Sequence, residues 1–372
     1  MGHAGGVTPP EPRARKTTRR GAGVALAGFL TGLVLVAVGA GVGLPHLEKS
    51  GLTLGSGLGL AALVVGVLAV VFGGLRLVRS RRSWRRVPAG LVLVVTAVLV
   101  VYVLAVPLRA SLPPRAPPPT AAPGGPQAQA VVVPTADGER LSAWYTPSTT
   151  GAAVVLLPGS GSSSAALGRH AAVLADGGLG VLAVDPRGHG DSTGRGMDWG
   201  WFGDEDVPSA VTFLTEQADA DPDRIGVVGL SMGGEQAVGA AGADPRIRAV
   251  VAEGVTGRSA ADLDWLVDAY GWRGTVTRSV HRMQTAIADA LSPAGPPPPL
   301  REAVSSGAPR PVLLIVAGER ADELHAATAL EDASPESVEI WVVDGAGHTA
   351  GLRTDPDGWR ERVLGFLAEA LG

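Results

Sequence analysis

The sequence contains no cysteine, which excludes a disulfide, a thiolate nucleophile and a thiolate metal site. Its formal net charge is only −4. Outside the flanks of its apolar segments it has no basic stripe with interleaved aromatic residues, so no nucleic-acid-binding surface is expected. The apolar segments themselves contain no charged residue, which argues against a transport pathway through them.

Three long apolar runs lie within the first 110 positions, at residues 21–44, 51–75 and 87–108. As a helix, the first run would cover roughly 36 Å, against about 30 Å of bilayer hydrocarbon. It is too long for the apolar part of a usual signal peptide, and two similar runs follow it. The sequence therefore predicts three transmembrane helices within residues 21–108.

The distribution of positive charge predicts how these helices are oriented. Basic residues cluster before the first run and between the second and third runs: Arg13, Arg15, Lys16, Arg19, Arg20, Arg76, Arg79, Arg81, Arg82, Arg85 and Arg86. Positive flanks stay in the cytoplasm. We therefore expect a multi-pass protein of the cell membrane with a cytoplasmic tail at residues 1–20 and everything after residue 108 outside. Glycine and alanine in the first two runs would also permit close contact with a partner membrane protein.

A Pro- and Ala-rich stretch at residues 109–130 favours extended geometry and is predicted to be a stiff linker. From residue 131, short β-branched runs alternate with helical patterns, which predicts an α/β domain with a mostly parallel eight-stranded sheet covered on both faces. The predicted strands are 131–133, 141–145, 152–157, 180–184, 224–228, 247–252, 311–316 and 338–343. The predicted helices are 165–176, 205–217, 232–241 and 358–371. Ligands bind such sheets at the carboxyl ends of the strands.

Two Gly-x-Ser-x-Gly segments offer a candidate nucleophile, although about 0.4 chance matches are expected in a chain this rich in glycine. The segment around Ser192 follows a tight turn and leads into a stretch without helical periodicity. The segment around Ser231 directly follows a predicted strand and opens a predicted helix. This strand–turn–helix passage is the context that a nucleophile elbow requires, so we predict that Ser231 is the nucleophile.

A serine nucleophile needs a base and an orienting acid, which follow it in the order acid, then histidine, in this type of sheet. His348 lies in a loop between the last strand and the last helix, and it is the predicted base. The loop after the seventh predicted strand contains Glu319, Asp322 and Glu323, any of which could reach the imidazole. Asp322 is the predicted acid, with Glu319 as the alternative.

The predicted oxyanion hole combines the backbone N–H groups of Met232, after the nucleophile, and Ser160, in the Gly-rich loop after the third strand. A phosphate-binding loop is excluded there because no lysine follows the last glycine.

The residues from Leu156 to Gly161, the block 185–192, the elbow 229–234 and the pair Gly347-His348 together resemble the α/β-hydrolase superfamily. The resemblance covers about residues 131–372 and is strongest to serine-aminopeptidase-like and dienelactone-hydrolase-like bacterial members. It implies structural roles for Arg187 and His189 in a turn beneath the site, and a small cap near residues 257–310. The chain departs from the family at Pro158-Gly159, where many members have His-Gly, and in the spacing of its acid.

These observations predict a membrane-anchored serine hydrolase that cleaves a small-molecule ester, thioester or amide through an acyl-enzyme, without a cofactor or metal. Two alternatives use the same fold. One is an acyltransferase, and the other is an inactive binding or sensing module.

Overall fold

The computed structural model describes residues 14–372, with side chains from residue 21 onward. This part of the chain divides into two compact units. The first comprises residues 51–105 with the chain up to 47, and the second comprises residues 106–372 with the short segment 48–50. The predicted basic tail at residues 1–20 lies mostly outside the described residues.

Long apolar helices precede the α/β domain. Their bounds are α1 (Ala14–Val38), a π-helical turn (Gly39–Gly43), α2 (Leu44–Ser50), α3 (Leu54–Arg79), a 3₁₀ turn (Ser83–Arg85) and α4 (Arg86–Ser111). Three helical stretches, Gly21–Ser50, Leu54–Arg79 and Ser83–Ser111, are long and apolar enough to cross a membrane. The three predicted apolar helices are therefore present, the first and third being longer than predicted.

Glycine allows the first two apolar segments to pack closely. A Cβ atom placed on Gly39 would lie 2.4 Å from the Cβ of Leu63, and one placed on Gly43 would lie 2.7 Å from the carbonyl carbon of Gly59. Any larger side chain at these positions would push the helices apart. The small residues therefore serve contact within the chain itself.

Eight strands form one sheet in the order β1-β2-β4-β3-β5-β6-β7-β8. Their bounds are β1 (Gln129–Pro134), β2 (Arg140–Thr146), β3 (Ala153–Leu157), β4 (Gly180–Val184), β5 (Ile225–Leu230), β6 (Ile247–Glu253), β7 (Val312–Ala317) and β8 (Val338–Val343). β2 pairs antiparallel with both β1 and β4, and all other pairs are parallel. The predicted fold class, with its eight-stranded and mostly parallel sheet, is confirmed.

Helices cover both faces of this sheet. Their bounds are α5 (Gly168–Asp176), α6 (Gly203–Thr215), α7 (Met232–Ala243), α8 (Trp265–Tyr270), α9 (Trp272–Leu291), α10 (Leu300–Gly307), α11 (Ala321–Glu331), α12 (Gly351–Thr354) and α13 (Pro356–Leu371). Helices α6, α7, α10 and α11 pack against one face, while α5 and α13 pack against the other. β3, β4 and β5 are buried along their whole length, as expected for strands covered on both faces.

The chain between β6 and β7 contains the helices where the cap was predicted. These helices are α8 and α9, which lengthen this connection. α10 belongs to the core instead, because Leu300 and Val304 are buried with residues of the sheet and α7. Of the predicted cap segment, residues 257–310, the part in α10 therefore belongs to the core, and a capping role for α8 and α9 stays a prediction.

The Pro- and Ala-rich stretch packs on the α/β domain rather than forming a free spacer. The N–H of Ala116 donates to Nδ1 of the buried His189 at 3.0 Å, and the carbonyl of Ala116 accepts from the N–H of Gly190 at 2.9 Å. The hydroxyl of Ser163 donates to the carbonyl of Pro117 at 2.6 Å. The prediction of a spacer is wrong here, because proline-rich backbone keeps free carbonyls that a nearby loop can satisfy.

Candidate active site

Ser231 lies in a sharp turn between β5 and α7, at the carboxyl edge of the sheet. Its backbone has φ 52° and ψ −119°, a conformation that only glycine adopts freely. A Cβ on Gly229 would lie 2.2 Å from the carbonyl carbon of Gly233, so the turn closes only with glycine there. The N–H of Ser231 donates to the carbonyl of Glu253 at 2.7 Å, which attaches the turn to β6. This is the strand–turn–helix geometry that a nucleophile elbow requires, and the role of Ser231 as nucleophile stays a prediction.

His348 faces this serine from the loop after β8. Its Nε2 lies 2.9 Å from Oγ of Ser231, and its side chain is 40% exposed. The next residue, Thr349, has a φ of 50°, and Gly254 lies against the imidazole, where a Cβ would approach Cε1 to 3.0 Å. The predicted serine and histidine are therefore hydrogen-bonded to each other and open to a substrate.

The acid beside the imidazole is Glu323, not Asp322. Oε1 of Glu323 lies 2.6 Å from Nδ1 of His348, and its Oε2 accepts from the N–H of Ala317 at 2.9 Å. Asp322 instead binds the guanidinium of Arg320 with both oxygens, at 3.0 and 2.7 Å, on the exposed side of α11. The prediction that Asp322 is the acid beside His348 is therefore wrong.

Glu319, the alternative acid, does not occupy this place either. Its side chain is exposed, and its N–H donates to the carbonyl of Ala346 at 3.0 Å. This bond joins the loop after β7 to the loop that carries His348. Glu319 thus supports the loop through its backbone.

A helical pattern explains why Glu323 points inward. Glu323, Ala326, Ala327 and Leu330 follow the spacing i, i+3, i+4, i+7, and all four are buried. Asp322 lies about 100° around the helix from Glu323 and so falls outside this stripe. The same pattern is readable in the sequence once α11 is extended through Leu330, and it was the signal that could have identified the acid.

Glu323 changes the ionisation of His348. The hydrogen bond that Nδ1–H of His348 donates to Glu323 raises the pKa of the imidazole, and partial burial opposes this effect only in part. A carboxylate on Nδ1 also favours the tautomer with a free lone pair on Nε2. The imidazole is thereby prepared to accept a proton from Ser231.

Glu253, at the end of β6, connects the turn that carries Ser231 to the loop that carries His348. This residue was not identified from the sequence. Its side chain is 3% exposed; Oε1 accepts from the N–H of Gly351 at 2.7 Å, and Oε2 accepts from the indole N–H of Trp359 at 3.2 Å. Burial raises the pKa of this carboxyl. Because its own carbonyl binds Ser231, Glu253 fixes the histidine loop relative to the elbow.

The loop after β3 lies beside the serine, as predicted for an oxyanion hole. A Cβ on Gly159 would lie 3.4 Å from the Cβ of Ser231, and Ser160 is the exposed residue that follows. Met232 is the first residue of α7, where backbone N–H groups have no partner within the helix. The use of the Ser160 and Met232 N–H groups for an oxyanion stays a prediction.

The second Gly-x-Ser-x-Gly segment lies away from this arrangement. Ser192 is 1% exposed; its hydroxyl donates to the carbonyl of Asp185 at 2.7 Å and accepts from the N–H of Ser142 at 2.8 Å. Arg187 is also buried and pairs with Asp206. These contacts agree with a structural role for the turn 185–192.

The cap encloses a cavity of about 310 Å³. Its wall includes Trp199, Leu263, Trp265, Tyr270, His281 and Asp322. Trp201, by contrast, is buried and donates its indole N–H to the carbonyl of Arg258 at 2.9 Å. Of the two tryptophans at this edge, Trp199 therefore contributes to the cavity and Trp201 to the core. Within residues 14–372, no group of three His, Asp or Glu side chains is arranged to hold a metal ion.

Comparison with known proteins agrees with this architecture. A family model described as serine aminopeptidase, S33, matches residues 148–290. The esterase Pf2001 of Pyrococcus furiosus superposes with a TM-score of 0.51 at 23% identity, covering 68% of this chain and 100% of that one. The α/β-hydrolase GrgF of a Penicillium species superposes with a TM-score of 0.51 at 20% identity, covering 66% and 99%. The chain therefore has the α/β-hydrolase fold, and residues 148–290 are similar to the serine aminopeptidase, S33, family.

Similarity to curated proteins is shorter. Protein Rv2307c of Mycobacterium tuberculosis is 38% identical over 132 residues, 35% of this chain and 46% of that protein. The thiohydrolase aneE of Aspergillus aculeatus is 42% identical over 76 residues, 20% of this chain and 24% of that protein. Protein YfhR of Escherichia coli O157:H7 is 26% identical over 260 residues, 66% of this chain and 82% of that protein. The match thus spans less than half the length of the mycobacterial relative.

Proposed function

We propose that the α/β domain is a serine hydrolase that cleaves an ester, thioester or amide of a small molecule through an acyl-enzyme intermediate. The observation that supports this proposal most strongly is the continuous hydrogen-bonded chain from Ser231 through His348 to Glu323. A hydroxyl, an imidazole and a buried carboxylate in this order form the machinery of acyl transfer.

The reaction follows from the positions of the atoms. Oγ of Ser231 attacks the substrate carbonyl carbon while Nε2 of His348 accepts the hydroxyl proton. The oxyanion receives hydrogen bonds from the N–H groups of Met232 and Ser160, at the positive end of the α7 dipole. As the intermediate collapses, the imidazolium returns the proton to the leaving group. Water then attacks the acyl-serine by the same route and regenerates the hydroxyl.

The similar proteins point to three kinds of scissile bond and do not favour one of them. The names of the matched proteins and family describe an esterase, a thiohydrolase and serine aminopeptidases, and one nucleophile of this kind serves all three bonds.

We further propose that the three apolar helices anchor the chain in the cell membrane, with the amino terminus in the cytoplasm and the hydrolase domain outside. The basic residues before α1 and between α3 and α4 support this orientation. Single-cysteine variants can test it, because the chain has no cysteine. A membrane-impermeant maleimide should label Val132→Cys in intact cells and leave Ser83→Cys unlabelled; the reverse pattern would reject the orientation.

A fluorophosphonate probe tests the chemistry directly. The full-length protein should form one adduct, mapped by mass spectrometry to the peptide that contains Ser231. The adduct should disappear in Ser231→Ala and persist in Ser192→Ala. An unlabelled but folded wild-type protein would reject the hydrolase and favour a binding module. If the probe labels Ser231, and the unmodified protein transfers the acyl group of an ester substrate to an alcohol faster than to water, the protein is an acyltransferase.

A further inference from the structure

The outer helix of the cap, α9, carries an unusual concentration of exposed apolar side chains. Seven large apolar residues of the domain are exposed: Val132, Tyr270, Trp272, Val276, Met283, Leu324 and Val342. Four of the seven lie within residues 270–283, and Trp272 is the most exposed of the seven at 74%. The apolar surface of the domain is therefore concentrated on this part of the cap.

The exposed large apolar residues of α9 form a single stripe. At 100° per residue, Trp272, Val276 and Met283 project within about 40° of one another. Ser279, Ala286 and Ala290 share this face and are also exposed. The stripe thus runs almost the full length of the helix without a charged residue.

Positive charge borders the stripe on both sides. Arg273 and Arg282 lie about 100° and 80° to either side of Trp272, and both are exposed. The guanidinium carbon of Arg273 lies over the ring of Trp272, 5.7 Å from its centroid. Asp289 is the one acidic residue of α9, and it lies beyond Arg282 on the same side of the stripe.

The opposite side of α9 holds the helix in the cap. A Cβ on Gly274 would lie 1.7 Å from the carbonyl oxygen of Leu266, and Ala288 is fully buried. Thr277, His281 and Thr285 line the cap cavity and project between about 140° and 220° from Trp272. One face of α9 thus lines the cavity, while the face directly opposite is uncovered.

We propose that this uncovered stripe of α9 binds the surface of a lipid bilayer, with Arg273 and Arg282 against lipid phosphates. A tryptophan, an apolar stripe and flanking arginines are the features of a helix that lies in a membrane interface. The same chain has three helices that are long and apolar enough to cross a membrane. This inference rests on the proposed anchoring, and it implies that the substrate of the hydrolase is amphiphilic.

Site-directed fluorescence in nanodiscs tests the proposal with the full-length protein. An environment-sensitive fluorophore is attached to Val276→Cys, and Val132→Cys, exposed on β1, serves as the matched control. Brominated phospholipid should quench the Val276 fluorophore at least about twofold, because interfacial helices bury their apolar face 5–10 Å deep, and it should leave the Val132 fluorophore unquenched. Adding Arg273→Gln and Arg282→Gln should weaken the quenching, most strongly in discs rich in anionic lipid.

Several outcomes would overturn the proposal. Equal or absent quenching at the two positions would reject membrane binding by α9. A spectral change that follows the number of protein copies in each disc, and not the lipid, would show that a second copy covers the stripe. Labelling of Ser231 by fluorophosphonate in the same discs reports the hydrolase chemistry separately. Failure of the protein to enter the discs would reject the anchoring and this inference together.

Discussion

Two segments of this chain share the pattern Gly-x-Ser-x-Gly and differ in what surrounds the serine. The Ser231 hydroxyl faces an imidazole at 2.9 Å on an accessible edge of the sheet. The Ser192 hydroxyl is buried between two backbone groups of the sheet and its loops. The five-residue pattern therefore specifies a tight turn in both places, and only the partner of the hydroxyl separates a reactive serine from a structural one.

The surroundings of the two turns extend this difference. The turn around Ser231 lies among loops that converge from β5, β6, β7 and β8. The turn around Ser192 binds the Pro- and Ala-rich stretch, through Ala116 and through Arg115, whose guanidinium donates to the carbonyls of Gly190 and Ser192 at 2.9 and 2.7 Å. One turn holds its serine against an imidazole, while the other joins the start of the domain to its sheet.

The largest expected effect separates the two serines by activity. Ser231→Ala and His348→Ala should each lower kcat/KM for a p-nitrophenyl ester at least about a thousandfold, because they remove the attacking atom or its base. Ser192→Ala should stay within about threefold of the wild type. Full-length protein in detergent is compared at equal folded concentration. Activity that survives Ser231→Ala would contradict the assignment.

The next effect distinguishes the two neighbouring carboxylates. Glu323→Gln should lower kcat by about 10²–10⁴, because an amide neither fixes the imidazole tautomer nor stabilises the imidazolium. Asp322→Asn should change kcat less than about twofold, since Asp322 binds Arg320 at the surface. Steady-state kinetics on the same ester measure both, and equal losses would show that Asp322 has a role at the site.

The same pair of variants should differ in pH dependence. His348 must be neutral to accept a proton, so the rate should fall as the pH drops through its pKa. Because Glu323 raises that pKa, Glu323→Gln should lower it and move the acidic limb of kcat/KM to lower pH. The acidic limb of Asp322→Asn should remain close to that of the wild type. A limb that does not move in Glu323→Gln would mean that another group controls it.

A smaller effect concerns the free energy of unfolding of the two serine variants. Ser192→Ala should lower the free energy of unfolding by about 1–3 kcal/mol, because it leaves the N–H of Ser142 buried without its partner. The melting temperature should fall by about 2–4 °C for each kcal/mol. The hydroxyl of Ser231 supports no such backbone group, so Ser231→Ala should melt close to the wild type. Thermal unfolding followed by tryptophan fluorescence measures the melting temperatures of the two variants, and equal losses would contradict the structural role of Ser192.

The smallest effect concerns the strained backbone of the elbow. Ser231→Gly and Ser231→Ala both lack the hydroxyl, but only glycine adopts φ 52° and ψ −119° without strain. The glycine variant should therefore be about 1 kcal/mol more stable than the alanine variant. Denaturant unfolding of the two inactive proteins gives the difference, and equal stability would indicate that the turn stores no strain.

Much of the fold is predictable from local patterns. All eight strands occur where β-branched runs predict them, and β4 has its predicted bounds. The elbow is recognisable because strand, turn and helix are contiguous in the chain. The short helices α8 and α12 were not predicted, since neither is long enough to show a helical period.

The sequence by itself determined the apolar helices, the parallel sheet, and the serine and histidine at its carboxyl edge, because each depends on periodicity or on a contiguous motif. Only the tertiary structure decided which carboxylate reaches His348, because three acidic residues share one loop and the buried side of α11 selects Glu323. It also decided that residues near Ala116 pack on the domain and that α10 belongs to the core. Those outcomes depend on neighbours distant in sequence, whose positions no local pattern contains.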